Sequence, residues 1–303
     1  QYHFCGEPYS PDYIQGISGA AFRVAGICPC APTCSVAMNN DSLIKLLGYE
    51  YIGSKMCTNK EDALTMVNES IPLLKEDIRN NRPVLAWHAF TNAEWDVVCG
   101  FDDKTKELIG RGSYAGFDEY ASADENRMAD AIDFCPAFGI IRIGSKQSEF
   151  NAGHAEISSL IEAVRHANEK KADTGKDKWV MLEGIQCYER WAQEFSTDPM
   201  RKRGLGDAYC IGIYHSTHRA ASGYLLEIAP KHKKVENNLI LASRNFRQEA
   251  DILDKCLPLL WWDSPEGPDA DRNKAAGELL YQAAEQYKQG IKNIESALNE
   301  IGL

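Results

Sequence analysis

The feature that most limits the folds open to this chain is a change of hydrophobic period near residue 145. Before it, short runs rich in β-branched and aromatic residues alternate with Gly, Pro and Asp punctuation: "RPVLAWHAF", "WDVVCGF", "KELIGRGSY" and "FGIIRIG". Runs of that length bounded by turn formers read as strands. After it, the apolar residues recur at helical spacing for about 150 residues, and no clear strand is seen. Strands followed by a block of helices predict the α+β class. The boundary is expected around "GSKQSEFNAG", giving units 1–147 and 148–303.

The first unit also holds helical stretches. "DSLIKLLGY" has helical spacing and a Gly stop, and residues 59–81 place Leu64, Val67, Ile71 and Leu74 on one face, with Pro72 tolerated as a bend. In the second unit, residues 153–171 carry Ile157, Leu160, Ile161 and Val164 on one side. "GDAYCIGIYHSTHRAASGYLLEIAP" is apolar nearly all round and is expected to be the central helix of a bundle.

The net charge of −11 and pI near 5.2 argue against nucleic acid and anionic membranes, which need a basic face. No apolar run is long enough for a membrane span. Ten cysteines are scattered, most inside apolar segments, as expected for free buried thiols in a reducing, cytoplasmic setting. Three of them, Cys28, Cys30 and Cys34, fall within seven residues, but the C-x-C-x3-C spacing matches no common zinc pattern. A rigid loop is expected there, with a metal or redox pair as the less favoured reading. No cofactor is expected. The sequence begins at Gln1 inside an apolar pattern, as though part-way through a helix.

At "YHFCGEPYSPDYIQGISGAAFRV" the chain resembles papain-like proteins of the bacteriocin-processing peptidase type, and more closely the N-terminal domain of the butirosin biosynthesis protein H family. The matching residues are Gly6, Ser10, Gly16, Ser18, Gly19 and Phe22. The hairpin "EWDVVCGFDDKTKELIGRGSY" resembles the same group's histidine-bearing hairpin. The resemblance covers roughly residues 1–144 and implies a papain-like domain with an antiparallel sheet, followed by an all-helical domain. It also implies a nucleophilic Cys at the start of a first helix, upstream of Gln1, activated by the helix dipole and a His. The chemistry would be acyl transfer to an amine or amide hydrolysis.

The position of that His is occupied by Glu94. A carboxylate cannot form the thiolate–imidazolium pair and would raise a neighbouring thiol's pKa. Glu94 and Asp96 flank Trp95 at strand spacing and so are expected on one face, as a base or a cation or amine site, or else as a solvated strand entry. Arg111 and Tyr114 follow the second hairpin strand; Arg111 could fix Glu94 by a charge-assisted bond. His88, in "VLAWHAF", is a candidate substitute histidine, though a lone strand histidine is more often a satisfied core residue. Gln15, Ser18 and Gly19 lie in a Gly-rich turn that could bind an anion or carbonyl oxygen, or could be only a tight turn. His215, His218 and Arg219 lie on the apolar helix, the two histidines sharing a face, either in a ligand pocket or in a hydrogen-bonded core.

The expected function is therefore a degenerate papain-like protein that binds a small molecule, or an acyl or peptide partner, in the former cleft. The alternative is a cysteine-dependent acyltransferase or amide hydrolase whose nucleophile lies upstream. A homo-oligomer is compatible with either.

Overall fold

Sequence period becomes structure most directly in the strands. In the computed structural model, which describes residues 6–25, 40–113, 119–169, 172–173 and 180–303, the chain is α+β. The strands β1 (Tyr49–Gly53), β2 (Val84–Trp87), β3 (Trp95–Asp102), β4 (Glu107–Arg111), β5 (Ala121–Asp124) and β6 (Ile140–Lys146) form one sheet. Its order is β1-β6-β2-β3-β4-β5 and every pairing is antiparallel. The hairpin turn between β3 and β4 closes as its residue types require: Asp102 Oδ1 accepts from the N–H of Lys104 at 2.7 Å.

Two compact units are present, and they are not contiguous in sequence: residues 1–9 with 40–150, and residues 10–39 with 151–303. This differs from the expected break at 147/148, because residues 10–25 bury their apolar side chains among helices. Tyr13, Ile17, Phe22 and Val24 are all at most 2% exposed.

In the sheet unit, α2 (Asn40–Leu46) precedes β1, and α3 (Lys60–Arg79) follows it. Asn59 caps α3 by accepting from the N–H of Asp62 at 2.9 Å. The buried face of α3 is Ala63, Met66, Val67, Ser70, Ile71 and Leu74. Leu64 is 38% exposed, so the apolar stripe is rotated from the expected one. Pro72 lies on the exposed side, where water can serve the carbonyl that its ring leaves without a partner. Val67 and Leu74 pack with Val84, Ala86 and Val98 from the sheet, and Met128 from a 3₁₀ segment (Glu125–Asp133) closes that core. Lys75, buried on α3, is held by Glu125 at 2.7 Å and Asp103 at 2.9 Å, which ties the helix to the hairpin tip.

The helical unit holds α1 (Pro11–Ile17), α4 (Ala152–Ala167), α5 (Gly184–Thr197), α6 (Leu205–Ile228), α7 (Glu236–Leu260) and α8 (Ala270–Glu300). A two-residue ladder, Ala172–Asp173 with Val180–Met181, also occurs where no strand was expected. Ser10 caps α1, accepting from the N–H of Tyr13 at 3.0 Å, and Pro11 opens the helix. Gly16 is required by close approach: a Cβ there would lie 2.0 Å from Cγ of Tyr224 on α6. The helix α6 packs against α7, and α8 packs against both α7 and α5. Among the described residues, no helix is long and apolar enough to cross a membrane.

Candidate functional site

The site candidate is the loop 88–94, which joins β2 to β3 where Trp87 pairs with Trp95. Two non-glycine residues in it have left-handed backbone, His88 (φ 62°) and Ala93 (φ 53°). Each such residue costs roughly 1–2 kcal/mol and persists only where its surroundings over-determine it. Here they do. The N–H of His88 donates to Glu94 O at 2.8 Å, and His88 Nδ1 accepts from the N–H of Ala93 at 2.9 Å. Asp96 Oδ2 accepts from the N–H of Phe90 (2.7 Å) and of Thr91 (2.8 Å), while Oδ1 accepts from that of Ser113 (3.0 Å). Arg127 donates to Phe90 O at 3.2 Å and to Asn92 Oδ1 at 2.7 Å. Gly112 is needed where β4's end meets the loop, since a Cβ would lie 2.6 Å from Thr91 Oγ1.

This geometry corrects two expectations. Glu94 and Asp96 are not both strand residues: β3 begins at Trp95, Glu94 is a half-buried loop residue, and Asp96 is wholly buried. Its carboxylate is an internal acceptor for three backbone donors, so it is no ligand. Nor is His88 a strand residue, because β2 ends at Trp87. Its ring is buried, and because Nδ1 accepts a hydrogen bond the neutral ring carries its proton on Nε2. Among the described residues that Nε2 has no hydrogen-bond partner. Phe134 lies over the ring at a centroid distance of 5.4 Å.

Glu94 acts electrostatically on Cys135. Burial pushes that thiol's pKa up and Glu94 adds to the rise, while the Trp87 indole beside the sulfur works the other way. That direction keeps the Cys135 thiol protonated at neutral pH.

Burial lowers the pKa of His88 below 6.5, and Arg127 adds to that; Asp130, Asp96 and Asp133 oppose it. Above pH 6.5 the ring is neutral in both the folded and unfolded chain and has no effect on stability. Below it the unfolded chain takes up the proton first, so stability falls as pH drops through 6.5 towards the folded value. The slope is at most about 1.4 kcal/mol per pH unit for one ring. Urea unfolding between pH 7.5 and 5 should show this loss, and His88→Gln should flatten it. A variant as pH-dependent as the parent would refute the assignment.

Arg111 ends β4 opposite Val97, with its guanidinium 5.9 Å from the Tyr120 ring centroid. Tyr114 and the Cys28, Cys30 and Cys34 cluster lie outside the described residues. Among the described residues no group of His, Cys, Asp and Glu could hold a metal ion.

The other candidates belong to the helical unit, so they do not join the loop 88–94 in one unit. Ser18 Oγ donates to Gln15 O at 2.9 Å and accepts from the N–H of Ala20 at 3.3 Å, while Gly19 takes φ 76°. The Gly-rich turn thus satisfies itself. His215 and Arg219 are partly exposed and pair with Asp254, whereas His218 is wholly buried. The two histidines therefore differ in depth and do not form one pocket.

His218 lies in a hydrogen-bonded core, one of the two readings its place on the apolar helix left open, with partners that residue spacing did not reveal. Its Nδ1 lies 2.5 Å from Glu249, itself wholly buried, and its ring stacks between Tyr214 and Tyr287 at 5.5 and 5.6 Å. This core grips the backbone of residues 22–25. Tyr287 donates to Phe22 O (2.8 Å), His218 Nε2 faces Arg23 O (3.3 Å), and His166 Nε2 accepts from the N–H of Val24 (2.9 Å). Gly184 N–H donates to Val24 O (2.8 Å), and Ala25 N–H donates to Tyr214 (2.7 Å). Arg23 is paired with Glu162 (3.1 Å) and Glu183 (3.2 Å). A further signal was His166, a polar residue on the face of α4 that is in fact buried with Leu160 and Ala163, while Ile161 is 43% exposed.

Comparison of the sequence with protein-family models and with curated proteins finds no match.

Proposed function

We propose that the chain is a non-catalytic, papain-like binding protein that takes a small molecule or a partner at the corner held by the loop 88–94, with Glu94 as its polar contact. The reading rests on the resemblance of the β3–β4 hairpin to one that carries a histidine where this chain has Glu94. The observation that carries it is the state of His88, an imidazole within the loop itself. Its Nδ1 lone pair is spent on the N–H of Ala93 and its ring is buried, so it is a turn residue and not a substitute base.

The thiols agree. Burial pushes the pKa of Cys57, Cys99, Cys135 and Cys187 up, and that of Cys256 to about 12. A thiol raised in this way is a poor nucleophile at neutral pH. Treatment of the native protein with iodoacetamide at pH 7, followed by mass mapping, should give slow labelling spread over several cysteines. Rapid labelling confined to one cysteine would overturn the reading and favour a cysteine-dependent acyltransferase or amide hydrolase.

A further inference from the structure

The sheet unit contains a pocket of about 420 Å³ that shares no residue with the loop 88–94. One wall is the face of α3 that carries Asp62, Met66, Glu69 and Leu73, residues three to four apart and so stacked along the helix. The facing wall is the end of β1 and the residues after it, Ile52 to Cys57, with Ile140 and Arg142 of β6.

Two observations describe what would fill it. First, Ile52, Met56 and Leu73 line it while remaining 36%, 53% and 41% exposed, so three large apolar side chains surround one concavity. Second, the charge is uneven. Asp62, Glu69 and Lys55 all act on the Cys57 thiol from around the pocket, two carboxylates against one ammonium. The remaining cation, Arg142, is committed to Asp77. Glu69 has no hydrogen-bond or ion-pair partner among the described residues, whereas Asp62 is engaged by the helix cap at Asn59.

We propose that this pocket binds a small organic amine with an apolar arm, its ammonium on Glu69 and its arm against Ile52, Met56 and Leu73. The charge of the site selects a cation over an anion, and the apolar shoulders select an alkyl or aryl substituent over a bare ammonium. The chain's net charge of −11 helps to draw a cation to the surface.

Hexylammonium, hexanol and hexanoate have matched arms and differ in charge. Titration of the full chain with each, followed by ¹H–¹⁵N NMR, should show saturable shifts at the amides of Met56, Met66 and Ser70 with hexylammonium. Hexanol should bind more weakly, and hexanoate should give no saturable shift. Glu69→Gln, a surface change between two good helix formers, should weaken hexylammonium roughly fivefold and leave hexanol unchanged. Leu73→Ser should weaken both. Hexanoate binding as tightly as hexylammonium, an unchanged affinity in Glu69→Gln, or no saturable hexylammonium shift would each overturn the proposal.

Discussion

Residues 151–303 expressed without residues 10–25 should not fold cooperatively. The removed segment buries Tyr13, Ile17, Phe22 and Val24 in the helical unit, and four such side chains are together worth roughly 6–12 kcal/mol of burial. Its loss also strips partners from Tyr287, His218, His166 and Tyr214, all of them buried. Each orphaned buried group costs about 1–3 kcal/mol. Domains have only about 5–15 kcal/mol of net stability, so the remaining helices would be left near or below the folding threshold. Near-UV circular dichroism of the 151–303 fragment should lack fixed aromatic signals, and urea should give no sigmoidal transition. A synthetic peptide of residues 10–25, added in trans, should restore both saturably. A fragment that unfolds alone with the full chain's urea midpoint would refute the account.

Asp96→Ala should lower stability by about 3 kcal/mol, since it removes the acceptor of three backbone donors, and hydrogen bonds to a charged group are among the stronger ones. The effect should be local as well as global. Without Asp96, the left-handed residues His88 and Ala93 lose part of the frame that holds them, and amide exchange should quicken across residues 88–94 first. Asp96→Asn keeps one acceptor oxygen and should fall between the two. Urea unfolding with site-resolved hydrogen exchange separates the outcomes. A loss below about 1 kcal/mol would mean that the loop holds itself without the carboxylate.

The hairpin was the most legible part of the chain. Alternation in "WDVVCGFDD" and the Asp pair at its end specify two strands and a turn, and the structure pairs them as β3 and β4. The long helices were legible for the same reason, a period of 3.6 carried over many residues. Phase was harder. Leu64 and Ile161 satisfy the apolar period and are exposed, while Ser70, Glu156 and His166 break it and are buried. A polar side chain is buried only where partners wait for it, and these partners lie far away in sequence: Ser54 for Ser70, Tyr13 for Glu156, and Val24 for His166. The candidate site failed in the same way. Asp96 and Glu94 were indistinguishable as acidic residues at strand spacing, and one strand boundary at Trp95 separated a buried scaffold group from a half-buried one.

By itself the sequence determined the local periods, the turn chemistry, the α+β class and the acidic balance, because each depends on neighbours within a few residues. Only the tertiary structure decided that residues 10–25 belong with the helices, that His88 and Asp96 build a loop, and that His218 lies inside while His215 lies near the surface. Those outcomes turn on which distant donor meets which buried acceptor, and a buried polar atom takes its meaning from the group placed opposite it.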